Sequence, residues 1–135
     1  MALGWINDIE KLTIENATFR TVLFTGAHSQ LTVMSLKPGE EIGNEVHSDH
    51  DQFLRIEQGS ARVELSTNQH AVEETSEAEH DWAIIIPAGV WHNVINTGDD
   101  ELKLYSLYSP AEHPDGTIHL TKADADAAEA TEHAV

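Results

Sequence analysis

Four side chains in two short stretches of this chain have the types and spacing of metal ligands. Glu45 and His47 lie two residues apart, Gln52 follows closely, and His92 comes from a stretch much later in the chain. Residues two apart in a strand face the same side, so Glu45 and His47 point in one direction if that segment is extended. Imidazole nitrogens with carboxylate and amide oxygens suit a divalent metal such as Fe, Mn, Zn, Ni or Co. The four residues therefore predict a site for one such ion.

The segments that must position these residues have the pattern of short strands. Seven apolar or alternating runs are separated by Gly, Pro, Asn or Asp, which indicates an all-β sandwich or barrel. Pro87, Ala88 and Gly89 predict a tight turn shortly before His92. Gln52 opens the run that follows His47, so the predicted ligands come from different strands. The runs are ATFRTVLFTG, SQLTVMSLKPG, QFLRIEQG, SARVELS, DWAIIIPAG, HNVINTGDD and ELKLYSLYS.

The remaining segments carry weaker patterns. Residues 3–12 place apolar side chains near helical spacing, which favours one short helix packed on the barrel. Residues 68–80 are polar and acidic and predict an exposed loop or hairpin, whereas the tail after Lys122 predicts a frayed helix or disorder. We expect one domain, divided into an N-terminal segment at 1–19, a barrel at 20–110, and a C-terminal loop with an acidic tail at 111–135.

The first stretch resembles the first motif of the cupin superfamily, written G(X)5HXH(X)3–4E(X)6G. It runs from Gly39 through Glu45, His47 and Gln52 to Gly59 with matching spacing. The resemblance continues in the second stretch, and the two motifs with their connecting strands cover about residues 20–110.

The second cupin motif is written G(X)5PXG(X)2H(X)3N, and the matching residues here are Asp81, Pro87, Gly89, His92 and Asn96. The chain therefore resembles a small single-domain cupin. This resemblance implies a double-stranded β-helix, or jelly-roll, barrel with short terminal helices and a site inside it. A metal held by the motif side chains is part of what the resemblance implies.

Three positions depart from the cupin pattern. Glu45 stands where the first His is expected, Gln52 where Glu is expected, and Asp81 where the second motif begins with Gly. The first two changes cancel in charge, because three neutral His with one carboxylate carry the same single negative charge as Glu45, two His and Gln52. Gln52 is a neutral donor that either binds the metal or hydrogen-bonds a metal-bound water or substrate.

The charge of the chain limits its partners. Its 24 acidic residues against 7 Lys plus Arg give a formal net charge of −17. Such a field repels phosphate backbones and anionic lipids, so neither nucleic acid nor membranes are expected partners. Three interpretations of the acid remain open: an acidic tail at 123–135, adaptation to high salt, or an ordinary charge-rich surface. The spread of acid along the chain and the scarcity of lysine favour salt adaptation.

Several absences bear on location and assembly. No apolar run approaches the roughly 18 residues of a membrane span, and the N-terminus lacks the basic start of a signal peptide. The chain has no cysteine, which excludes disulfides and thiolate ligands. We therefore expect a cytoplasmic protein. Barrels similar to the one implied here often pair through exchanged strands or packed sheets, so we expect a homodimer formed through residues 3–36.

The function implied by the resemblance is that of a small metalloenzyme of isomerase, lyase or dioxygenase type. Its partner would be a small polar organic substrate whose oxygens reach open positions on the metal. One alternative is a non-catalytic barrel that binds or senses a sugar-like molecule, and another is a structural barrel without metal. No catalytic residue is assigned, because Glu45 is the one motif carboxylate and the metal claims it. Neither a nucleophilic triad nor a P-loop is present.

The other histidines carry less information. His50 lies in the loop beside the first motif and is expected to be solvated. His113 and His119 would cap the barrel opening only if the segment EHPDGTIH, residues 112–119, folds back. Surface positions are expected for His28, His70, His80 and His133.

Overall fold

The computed structural model describes residues 3–132, and in this range two antiparallel sheets pack into a barrel with a short helix near each end. The all-β jelly-roll prediction with short terminal helices is confirmed. The elements in chain order are α1 (Ile9–Glu15), β1 (Arg20–Thr25), β2 (Gln30–Leu36), β3 (Asp51–Gln58), β4 (Ser60–Ser66), β5 (Glu74–Glu79), β6 (Ala83–Ile86), β7 (Trp91–Asn96), β8 (Leu102–Ser109), β9 (Ile118–His119) and α2 (Lys122–Glu132).

The larger sheet has the strand order β6-β3-β8-β2-β1-β9, and the smaller has the order β5-β4-β7. Residues 39–47 run antiparallel beside β7 and add an irregular strand to the free edge of the smaller sheet. Backbone hydrogen bonds hold them there: the amide of Ile42 donates to the carbonyl of Val94 at 2.9 Å, and the amide of Glu45 donates to the carbonyl of His92 at 2.9 Å. This irregular strand carries the first half of the predicted site.

The inward face of the larger sheet changes from polar to apolar along its strands. This change follows from the register, since residues directly opposite one another lie in one row across β3, β8 and β2. Every side chain in three consecutive rows is at most 1% exposed. The apolar end therefore supplies the hydrophobic stabilisation, and the polar end holds side chains suited to a site. The rows are Gln52, Tyr108 and Gln30; then Leu54, Ser106 and Thr32; then Ile56, Leu104 and Met34.

One strand and the C-terminal helix go beyond the sequence-based expectation. Residues 68–80, expected to form an exposed loop or hairpin, contain β5, which pairs with β4 although five of its six side chains are exposed. Backbone pairing holds this strand in the sheet. Because its side chains show no apolar alternation, the sequence pattern did not predict it. The acidic tail was expected to be a frayed helix or disordered; Lys122–Glu132 is a helix, and its Ala125 joins the hydrophobic core. Among residues 3–132, no helix has both the length and the apolar character needed to cross a membrane.

Two tight connections explain residues of the motifs. Gly59 joins β3 to β4 with φ +96°, and a Cβ there would lie 3.1 Å from the carbonyl oxygen of Glu101. Only glycine meets both conditions without strain. Asp81, which departs from the family's glycine, has φ +71°. This left-handed conformation favours glycine, and aspartate is among the few other residues that tolerate it. Asp81 therefore adopts the left-handed backbone conformation that suits the glycine of the motif.

Candidate metal centre

Glu45 and His92 lie directly opposite each other on neighbouring antiparallel segments. Each donates its backbone amide to the carbonyl of the other at 2.9 Å. Directly opposed residues send their side chains to the same face of a sheet. As a result, Oε1 of Glu45 lies 3.5 Å from Nε2 of His92, although the two residues are far apart in sequence.

His47 is placed by the turn that precedes β7. Gly89 has φ +84°, which confirms the tight turn predicted at 87–89, and its amide donates to the carbonyl of His47 at 2.8 Å. The amide of Ala88 in the same turn donates to the Asp51 carboxylate at 2.9 Å. These contacts fix the backbone at His47, whose Nε2 lies 3.4 Å from Oε1 of Glu45. The rings of His47 and His92 are 5.2 Å apart.

Both imidazoles turn their Nε2 atom towards Glu45. The Nδ1 of His92 lies 3.0 Å from the carbonyl of Val90, which can only accept, so the ring proton sits on Nδ1. The Nδ1 of His47 faces Oε2 of Glu112 at 3.3 Å. The Nε2 atoms of both rings are buried and have no hydrogen-bond partner among the described residues. A carboxylate or carbonyl behind each imidazole is the usual way to orient a metal-binding histidine.

The three converging atoms fit one metal ion. The ligand atoms of Glu45, His47 and His92 all lie within 4.8 Å of one another. Ligands at about 2.1 Å from one ion lie roughly 3.0 to 3.4 Å from each other, close to the observed separations of 3.4 and 3.5 Å. Two nitrogens and one carboxylate are a donor set that Fe, Mn, Co, Ni and Zn accept.

Gln52, the fourth predicted ligand, is buried on the inward face of β3. Its Nε2 donates to Oγ of Ser106 at 2.8 Å, while its Oε1 is buried and has no hydrogen-bond partner among the described residues. Opposite Gln52 in the register stands Tyr108, whose ring lies 5.8 Å from that of His47. With its amide nitrogen on Ser106, Gln52 leaves its oxygen as the atom that a metal or a substrate hydroxyl would use.

The charges of the site favour a bound cation. Burial acts to raise the pKa of Glu45, but the contacts with His47 and His92 outweigh it and hold the pKa well below its usual range. Burial acts to lower the pKa of His47, whereas Glu112 and Glu45 raise it to about 10. Two carboxylates around one imidazole thus attract a positive charge, which is either a proton or a metal ion in competition with it.

A second acidic and imidazole group adjoins the first but is less suited to a metal. It comprises His47, His50 and Glu112, whose ligand atoms also lie within 4.8 Å of one another. However, Nε2 of His50 lies 2.9 Å from the carbonyl of Ala111, and this contact requires a proton on that nitrogen. Within this group, Glu112 instead contacts Nδ1 of His47 and orients its ring. The expectation that His50 is solvated was wrong, because its ring packs 5.7 Å from that of His47.

Glu112 is the site residue that the sequence did not reveal. It follows β8 in a segment without regular structure, and its position depends on Gln30. The side-chain amide of Gln30 donates to the carbonyl of His113 at 2.7 Å, and its oxygen accepts from the amides of Glu112 and His113 at 3.2 and 2.9 Å. These three hydrogen bonds fold the segment back over the barrel. No spacing rule in the sequence connects Gln30 with residues so distant.

The folded-back segment also brings His113 and His119 to the barrel opening, as the sequence allowed. The ring of His113 lies 5.4 Å from that of Tyr108, and His119 is buried beside Arg20. Burial, together with the charge of Arg20, lowers the pKa of His113 to about 4. The surface predictions for His28, His70 and His80 hold, and His133 lies outside the described residues.

A cavity of about 20 Å³ lies beside Glu45, between the barrel opening and α2. A space of this size holds one or two water molecules or a group as small as a carboxylate. Its lining is mostly charged or imidazole-bearing: Arg20, Glu45, Glu112, His113, His119 and Glu129, with Ala125.

Comparisons with known proteins agree with this architecture. The family described as "Cupin domain" matches residues 32–108. Over 125 residues the chain is 53% identical to the uncharacterized protein YrkC of Bacillus subtilis (strain 168), covering 93% of this chain and 67% of YrkC. Over 119 residues it is 41% identical to the uncharacterized protein L612 of Acanthamoeba polyphaga mimivirus, covering 87% of this chain and 72% of L612.

Among solved structures, the crystal structure of BH2720 from Bacillus halodurans superimposes with a TM-score of 0.90 at 50% identity. The alignment covers 91% of this chain and 93% of that one. The likeness therefore extends beyond the barrel strands to most of both chains.

Proposed function

Since this chain belongs to the cupin family, we propose that its barrel holds one divalent transition metal (Fe, Mn, Zn, Ni or Co) through Glu45, His47, Gln52 and His92. The observation that carries the proposal is that two buried Nε2 atoms, neither with a hydrogen-bond partner among the described residues, converge on one carboxylate oxygen. Unpaired buried polar atoms are costly, and a metal ion satisfies all three atoms together.

We propose that this centre catalyses an isomerase, lyase or dioxygenase type of reaction on a small polar organic substrate. When bound, the metal would supply a Lewis acid for a substrate oxygen. The residues of the chain do the positioning: Glu45 gives the centre one negative charge, and Glu112 holds the His47 ring in place. Gln52 offers its amide oxygen while its nitrogen donates to Ser106. The segment 112–129 contributes one side of the cavity.

A non-catalytic barrel that binds or senses a sugar-like molecule is the second candidate, and one observation favours it. An efficient general base has a pKa near the working pH. The contact with His47 outweighs burial and lowers the pKa of Glu112, and burial lowers that of His113 to about 4. Glu112 and His113, which both line the cavity, are thus weak bases, which suits binding without turnover.

Metal content tests the centre directly. Protein purified without a chelating tag and reloaded with each candidate ion is expected to bind one metal per chain by mass spectrometry. His47→Ala and His92→Ala remove a nitrogen ligand and are expected to lose nearly all metal. Glu45→Gln is expected to lose somewhat less, because an amide oxygen remains while the negative charge goes. Gln52→Ala is expected to lose least, because water can replace a neutral donor.

The surface residue His70 provides the matched control, since His70→Ala removes an exposed imidazole and leaves the site intact. Full metal content in His92→Ala would place the centre elsewhere. Turnover separates the two candidate functions: a panel of sugars, sugar acids and diketones is offered to the loaded protein. Conversion of any compound that disappears in His92→Ala supports the enzyme, whereas saturable binding without conversion supports the second candidate.

We also infer a cytoplasmic homodimer. An apolar row crosses the outer face of the larger sheet, aligned by the register of five strands, and Ile85 and Leu107 in it are 68% and 38% exposed. Light scattering after gel filtration is expected to give twice the mass of the chain, and Ile85→Lys is expected to give the monomer. A monomeric wild-type protein would contradict the inference. The row comprises Ile85, Phe53, Leu107, Leu31 and Phe24.

A further inference from the structure

Arg20 is a buried cation with no acidic partner among the side chains that the structure describes. It lies on β1 facing the barrel interior and is only 6% exposed. Among the side chains that the structure describes, no carboxylate oxygen lies within 4.0 Å of its guanidinium, and its Nε has no hydrogen-bond partner. A buried charge of this kind is destabilising unless an opposite charge and hydrogen bonds compensate it.

The contacts of Arg20 orient the guanidinium and leave part of it unused. Its Nη1 lies 3.2 Å from Nδ1 of His119, and because arginine only donates, that nitrogen is the acceptor. The ring of Phe19 lies 5.4 Å from the guanidinium carbon. His119 and Phe19 therefore fix the plane of the group without neutralising it.

Of the three carboxylates that border the same cavity, Glu45 and Glu112 are half-buried and already engaged, and Glu129 on α2 is exposed. Glu45 contacts His47 and His92, and Glu112 contacts His47 and His50. Both line the cavity together with Arg20. The cavity thus brings together the proposed metal ligand Glu45 and a guanidinium that has no carboxylate within 4.0 Å among the described side chains.

We propose that Arg20, oriented by His119, binds the carboxylate of a small organic acid whose other oxygen reaches the metal. This assignment rests on the proposed metal centre and names the class of its ligand. A planar guanidinium matches a carboxylate through two parallel hydrogen bonds. A carboxylate fits the cavity of about 20 Å³, whereas a phosphate is larger and brings more negative charge beside Glu45 and Glu112. A larger acid requires displacement of α2.

The test compares glycolate with glycolamide, its neutral analogue of nearly equal size, by calorimetric titration of the cobalt-loaded protein. Wild-type protein is expected to bind glycolate more tightly, and Arg20→Gln is expected to lose about tenfold or more in glycolate affinity. Glycolamide affinity is expected to change little. Arg62→Gln is the matched control, because Arg62 is an arginine on β4 whose side chain is partly exposed and pairs with Glu64.

Cobalt content, measured first for each protein, separates failure of the metal centre from failure of the arginine site. If wild-type protein does not load cobalt, the proposed centre is wrong, and the same titration of the metal-free protein still tests Arg20. Glycolate affinities within about threefold in wild type and Arg20→Gln would overturn the proposal, as would no glycolate binding or tighter binding of inorganic phosphate. If Arg20→Gln does not fold, Arg20→Lys takes its place. It is expected to lose affinity because an ammonium lacks the two-pronged geometry, and wild-type affinity in that variant would overturn the proposal.

Discussion

Gly89→Ala tests whether the turn before β7 positions the metal centre. Gly89 has φ +84°, its amide donates to the carbonyl of His47, and nothing lies within 4 Å of the Cβ that alanine would add. The substitution therefore changes the backbone preference without a steric clash. Any effect on the centre must pass through the turn itself.

The magnitude follows from the left-handed conformation. A residue with a Cβ loses about 1 to 2 kcal/mol at positive φ. Alanine also lowers the conformational entropy of the unfolded chain, which stabilises the folded protein by about 0.4 to 1 kcal/mol. A net loss of about 1 kcal/mol corresponds to a drop of about 3 to 5 °C in Tm for a domain of this size. If the turn of the metal-free variant relaxes to an unstrained conformation, metal binding must restore the strained one. The metal affinity then falls by about fivefold at most.

Gly116→Ala is the matched control for this experiment. Gly116 has φ +75° and also has nothing within 4 Å of an added Cβ, but no hydrogen bond joins it to a predicted ligand among the described residues. Thermal unfolding of the metal-loaded proteins is expected to show similar losses for both variants. Competition with a chromogenic chelator is expected to show weaker metal binding for Gly89→Ala alone. Equal metal affinity in the two variants would refute the positioning role of the turn.

Two further predictions concern pH and salt. His113 has a pKa of about 4 in the fold against 6.5 in the unfolded chain. The unfolded chain therefore binds more protons between these values, and stability falls as pH drops from 6.5 to 4, by about 3 kcal/mol at most. Urea unfolding at pH 7 and 4.5 is expected to show a smaller difference in His113→Gln, and an unchanged difference would contradict the shift. If the net charge of −17 reflects salt adaptation, Tm rises between low salt and molar KCl as repulsion is screened; a flat Tm favours an ordinary surface.

The barrel was predictable from the sequence because its strands alternate and its turns carry Gly and Pro. The spacing of the motifs also brought Glu45, His47 and His92 to the same end of the barrel, since each lies at a position that the strand period fixes. The departure at Asp81 had no explanation in the sequence, and the structure supplies it as a positive φ.

The part of the site that the sequence did not predict comes from outside the regular strands. Glu112 reaches His47 because Gln30 holds the following segment through three hydrogen bonds. The sequence pattern did not distinguish Arg20 from other strand residues, because its burial depends on the strand register and on α2. Contacts of this kind depend on where irregular segments return to the barrel, and side-chain hydrogen bonds decide that path. Local periodicity carries no information about them.

The change from polar to apolar rows along the larger sheet has a consequence for how this barrel tolerates evolutionary change. Met34, Ile56 and Leu104 anchor the fold at one end, so substitutions at Gln52, Ser106 or Thr32 leave that anchor intact. Divergent descendants can therefore exchange site residues, as the Glu and Gln positions of the motif illustrate, without first acquiring new stability. Adaptation to a new ligand then requires changes in only one half of the interior.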